Sequence, residues 1–150
     1  MTAIGHLNIM NQKNTHQSIP LAIINSSDDT VEMLRTCLQQ EGFTSVVTTH
    51  ITDIKRGRTD FIEFLATHDP HVIVYDVSIP YEENWNFLRL LMSSEDMEGR
   101  RVVITTTNKK VLESFVGATD AIEIHGKPYD LRAIVESVQA AAMAVAPRGK

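Results

Sequence analysis

From Pro20 onward, short β-branched runs alternate with stretches of helical period, and five such pairs can be counted. Alternation of this kind predicts βα units around a parallel sheet. The first strand is Leu21-Ala22-Ile23-Ile24-Asn25, and a helix over residues 28–41 follows, with Val31, Leu34 and Leu38 on one apolar face and Gly42 as its stop. A second strand is expected over 45–49, then a polar loop through Lys55, Arg56 and Arg58, then a short helix carrying Phe61, Phe64 and Leu65 that ends at Asp69-Pro70. Residues 71–76 form the third strand, and Trp85, Leu88, Leu91 and Met92 line the helix after it. Residues 101–106 give the fourth strand, followed by a helix with Val111, Leu112, Phe115 and Val116. Residues 121–125 give the fifth strand, and Asp130 caps a last helix with Leu131, Ile134, Val135 and Val138.

Strands buried on both faces read as unbroken apolar runs, as the first, third and fourth do, whereas the second and fifth mix in polar groups and belong at the edges. With right-handed crossovers this gives the order 2-1-3-4-5, whose switch point lies between strands one and three. Ligands of such sheets sit beyond the carboxyl ends of the strands, which directs attention to Asn25, Ser26, Asp76, Thr106 and the residues after strand five.

Composition narrows the function. The chain has 150 residues, one domain's worth, with 43% hydrophobic residues and a net charge of −5. Net acidity argues against broad binding to nucleic-acid phosphates. The one cysteine, Cys37, excludes an internal disulfide framework and is expected to be packed on the first helix. No apolar run approaches the ~18 residues of a membrane span, and the Asn/Gln/His-rich start lacks a signal peptide's apolar core. A cytoplasmic protein is expected, with a flexible extension over 1–19, a folded domain over 20–146 and a tail over 147–150.

Three chemically able groups converge on the carboxyl rim: the Asp76 carboxylate, the Thr106 hydroxyl and, in Gly126-Lys127-Pro128, an ammonium. Together they suit phosphoryl chemistry, with Asp76 attacking while Thr106 and Lys127 hold the phosphoryl oxygens. Each residue also has a plainer role: Asp76 as a turn residue, Lys127 as its salt-bridge partner, Thr106 as a donor to backbone. His68 and His71 are separated by Pro70, which breaks the helix that would align them on a metal. His125 is expected in the edge strand, near enough to the pocket for a pH effect, and the Lys55, Arg56, Arg58 cluster is expected to be solvated.

At Asp76-Val77-Ser78-Ile79-Pro80, Thr106 and Lys127-Pro128, and over roughly residues 20–142, the chain resembles the receiver domains of two-component response regulators. The resemblance implies a flavodoxin-like, doubly wound (βα)5 fold, with Asp76 as phospho-acceptor, Thr106 coupling phosphorylation to the face of the fourth helix, fifth strand and fifth helix, and Lys127 on the phosphoryl group. It also implies a cis Lys127-Pro128 peptide. Asn84 stands where receivers commonly have glycine and, tolerating positive φ, is expected to keep the turn there, and Ile124 stands where many carry an aromatic switch residue. The family's acid pair after strand one is replaced by Asn25 and Ser26; Asp28 and Asp29 lie too far along and are better read as the start of the first helix.

That loss bears on the metal. The resemblance implies a pocket of three carboxylates and one lysine neutralised by Mg²⁺, whereas Asp76 and Lys127 already sum to zero. With only Asp76 and, weakly, Ser78 and Ser26 to hold the ion, affinity for Mg²⁺ is expected to fall at least about tenfold, leaving it weak or absent. The implied role is signalling, not turnover of a substrate, in a monomer or weak homodimer. A histidine kinase or phosphotransfer protein would be the donor and another protein the target, with no nucleic acid or membrane partner. No output domain is expected after the last helix. The alternatives are a pseudo-receiver that binds partners without phosphate, with Asn25, Ser26 and Pro128 shaping its pocket, and a flavin or nucleotide-phosphate binder, against which the glycine-free first turn argues.

Overall fold

The computed structural model describes residues 19–117 and 123–144. Five parallel strands make one sheet in the order β2-β1-β3-β4-β5: β1 Leu21–Asn25, β2 Val46–His50, β3 Val72–Val77, β4 Arg101–Thr106 and β5 Glu123–Gly126. This is the expected order, with the two polar strands at the edges. The helices are α1 Asp28–Gln40, α2 Ile51–Lys55, α3 Phe61–His68, α4 Tyr81–Met92, α5 Lys109–Val116 and α6 Leu131–Ala144, with a 3-10 turn at Glu95–Met97.

Because side chains alternate along a strand, β1, β3 and β4 feed two cores. Ala22, Ile24, Ile73, Tyr75, Val77 and Ile104 point toward α2–α5, where Phe61, Leu65, Trp85, Leu88 and Leu112 cover them. Leu21, Ile23, Val72, Val74 and Val103 point the other way, onto Leu34 and Leu38 of α1 and Ile134, Val135 and Val138 of α6. Each fully buried aliphatic side chain contributes ~1.5–3 kcal/mol, which is why the central strands are almost wholly apolar until their last residues.

Ends are closed locally. Ser27 accepts from the Thr30 amide to start α1, Asn108 does the same for Val111 in α5, and Asp130 accepts from Ala133 at the head of α6, as expected. Gly42, at φ 97°, follows the end of α1 in the left-handed region where glycine is least strained. At the opposite rim the buried Arg100 guanidinium donates to Asp69 at 2.7 Å and to the Pro70 carbonyl at 2.8 Å, tying the start of β4 to the start of β3.

Three expectations change. The polar stretch after strand two is not a plain loop: residues 51–55 form α2, with Ile51 and Ile54 buried beneath it. Strands two and three each begin and end one residue later than the pattern suggested. Asn84 is not a turn residue but lies inside α4 and is buried there. His68 packs on Phe64, and His71 approaches Asp69 at 3.8 Å; Cys37 packs half-buried between α1 and α6. Residues 1–18, 121–122 and 145–150, covering the expected extension, the start of the fifth strand and the tail, lie outside the described residues. Among the described residues no helix is long and apolar enough to cross a membrane.

Candidate functional site at the carboxyl ends of the strands

Asp76 is the fifth residue of β3, on the α1/α6 face, and is only 5% exposed. The register places Thr105 of β4 directly beside it, and that hydroxyl donates to Asp76 Oδ1 at 2.8 Å. The Tyr129 hydroxyl donates to the same oxygen at 3.4 Å. Burial pushes the Asp76 carboxyl above its ordinary value, while the Thr105 and Tyr129 hydrogen bonds and the charge of Lys127 pull it back. Tyr129 is itself pushed up to about 12, by burial first and then by the Asp76 charge, so its hydroxyl remains a donor.

Thr106, selected from the sequence as the pocket hydroxyl, faces the other side of the sheet. Its hydroxyl donates to the Val77 carbonyl at 2.7 Å and accepts from the Asn108 amide at 3.4 Å. The reason is the two-residue period: of the last β4 residues, Val103 and Thr105 share a face with Asp76, and Ile104 and Thr106 lie on the other. Thr105 and Tyr129 are the residues that sequence reasoning missed. The Thr-Thr doublet and an aromatic two positions after the lysine were the available signals, but choosing between the threonines needs the register.

Lys127 follows β5, its amide bonded to the Thr106 carbonyl and its ammonium 5.9 Å from the Tyr129 ring centre. The Lys127-Pro128 peptide is cis, as the resemblance implied, and so is Ile79-Pro80. Ile124 is partly buried on the α2–α5 face, and His125 Nε2 lies 2.8 Å from Ser137 Oγ. Burial pushes His125 below its ordinary value, with Glu123 opposing.

The end of β1 does not offer metal ligands. Asn25 is buried, and its Oδ1 accepts from the Ser26 amide at 2.7 Å and the Ser27 amide at 2.9 Å, closing the turn; Ser26 is exposed. The Ser78 carbonyl accepts from Asn84 Nδ2 at 2.8 Å, and Asn84 Oδ1 accepts in turn from the Lys55 ammonium. A divalent cation favours several oxygen ligands with carboxylates among them. One carboxylate with two hydroxyls already on one oxygen, an amide spent on its own turn and a lysine nearby do not fit one. Among the described residues no cluster of three or more His, Cys, Asp or Glu could hold a metal ion.

No family model matches the chain, and no curated protein does. Solved structures do. The signal receiver domain of a DNA-binding response regulator from Colwellia psychrerythraea superposes with a TM-score of 0.63 at 15% identity, covering 83% of this chain and 98% of that one. The chain has the receiver fold. The signal receiver domain of a signal transduction histidine kinase from Syntrophus aciditrophicus gives 0.62 at 22% identity over 87% and 94%, and the chemotaxis protein CheY4 of Vibrio cholerae gives 0.59 at 20% over 82% and 98%. At these identities the receiver likeness is one of architecture. What the receiver fold does here must come from the residues at its rim.

Proposed function

We propose that this chain is a signalling receiver in which Asp76 accepts a phosphoryl group from the phosphohistidine of a kinase or phosphotransfer partner. The observation that carries this reading is a single carboxylate at the switch-point end of the central strand, with Lys127 close enough to stabilise its charge. Asp76 Oδ1 is engaged by two hydroxyls, so Oδ2 is the oxygen to attack. Transfer forms an Oδ2–P bond as the donor's P–N bond breaks, and the leaving imidazole keeps the ring nitrogen's electron pair. Lys127 would screen the new phosphoryl charge. Affinity for Mg²⁺ is weak or absent in this reading, since the pocket lacks the acids to hold it. The signal would leave through the face of α5, β5 and α6, to a protein partner.

A second reading is favoured by one feature: Asn25 Oδ1 and Asp76 Oδ1 both accept from groups of this chain, as expected of a pseudo-receiver whose contacts do not depend on phosphate. Incubation with acetyl phosphate and Mg²⁺, followed by intact mass measurement, separates the two. A stoichiometric gain of one phosphoryl group, lost in Asp76→Ala, supports the acceptor. No gain at any Mg²⁺ concentration leaves the pseudo-receiver.

A further inference from the structure

Tyr75 precedes Asp76 and points to the opposite face of the sheet, its ring packed among Ile24, Ile73 and Trp85. It is only 2% exposed, yet among the described residues its hydroxyl has no hydrogen-bond partner, whereas the equally buried Thr105 and Thr106 hydroxyls both donate. The hydroxyl keeps a small contact with solvent, through which it can donate. Tyr75 lines a cleft of about 240 Å³ with Ser26, Thr52, Lys55, Ser78 and Asn84, between the β1–α1 turn, α2 and the β3–α4 loop. At ~30 Å³ per water molecule, the cleft has room for several waters or one phosphate-sized group.

The charge of the cleft decides what suits it. Lys55 is its one charged lining residue, and no acid lines it. The ammonium is held in place by Asn84 Oδ1 and by the Phe87 ring, whose centre is 5.4 Å away, and it has donors left over. Burial, with Asp76 adding to it, pushes Tyr75 well above its ordinary value, so the hydroxyl is a neutral donor. A hydroxyl donor and a cation lining one cleft are matched by an anion, to which hydrogen bonds are roughly twice as strong as to a neutral acceptor.

We propose that this cleft binds a small oxyanion of phosphate size, with Lys55 as the counter-charge and the Tyr75 hydroxyl as the donor at its floor. The part of the rim between β1 and β3 would then take a negative group and not a divalent cation. The Asp76 carboxylate faces the other side of the sheet and does not line the cleft.

The test is a titration of the isotope-labelled full chain with inorganic phosphate, against chloride at matched ionic strength, read by NMR. Saturable shifts are expected at the Ser26, Thr52, Ser78 and Asn84 amides. Lys55→Met, at an exposed position, should weaken binding at least about tenfold. Tyr75→Phe should weaken it several-fold, and Asp76→Asn should leave it unchanged or tighter. Absence of saturable shifts, binding in Lys55→Met equal to wild type, or its loss in Asp76→Asn would each overturn the proposal. Failure of Asp76 to take a phosphoryl group would not touch it.

Discussion

Tyr75 and Asp76 are consecutive on β3, and strand alternation sends them into two unlike surroundings. On the α1/α6 side, Asp76 is a buried acid that accepts from two hydroxyls, with the charge of Lys127 nearby. On the α2–α5 side, the Tyr75 hydroxyl, with no hydrogen-bond partner among the described residues, lines a cleft whose one charged lining residue is Lys55. On the proposed readings, two neighbouring side chains divide the rim into a place that carries a negative group covalently and a place that holds one reversibly.

The comparison extends into the core, where it can be broken most forcefully. Ile23 and Ile24 are both fully buried but belong to the two opposite clusters. Replacing either by Ala should cost ~2–5 kcal/mol in urea unfolding, because both layers are packed. A much smaller cost on one side would show that layer to be loosely filled.

The two threonines sharpen it next. Thr105→Val removes the close donor from a buried carboxylate and should cost ~1–3 kcal/mol at neutral pH, with the cost shrinking in acid as Asp76 takes up a proton. Thr106→Val removes a bond to a carbonyl that does not titrate, so its cost of ~1 kcal/mol should be the same at both pH values. Parallel urea titrations of the pair, in acid and at neutral pH, would decide which threonine serves Asp76. Equal pH dependence would refute the assignment.

The smallest effect is the pH profile itself. Burial raises the Asp76 pKa above its unfolded value, so the folded chain binds this proton more readily than the unfolded one. The resulting stability is fully present below the unfolded value and lost as pH rises through the folded one. Asp76→Asn should therefore flatten thermal stability across that window and be the more stable of the two above it. Melting temperatures measured from acid to neutral pH check this.

The architecture was legible because the central strands had to be apolar on both faces and the edge strands did not. Runs such as Ile73-Val74 and Val102-Val103-Ile104 announced their positions before any coordinate. The site was legible only in part. Asp76 and Lys127 stand out as charges at the ends of strands, but Thr105 and Thr106 are indistinguishable until the register with β3 is known. Tyr75 sits inside an apolar run, so its ring hides its hydroxyl. Lys55 looked like one member of a solvated basic cluster because a five-residue helix is too short to show a period, and α2 is what brings its ammonium to Asn84.

Asn25 carries a consequence of its own. With its side-chain oxygen engaged by two successive amides, the first turn is a closed loop of dipoles with no ionic component. Two adjacent acids at these positions would repel each other and need an outside charge to settle them, whereas the amide does not. The turn at this corner is therefore closed by hydrogen bonds that the chain supplies itself, with no charge on the Asn25 side chain for an ion to balance.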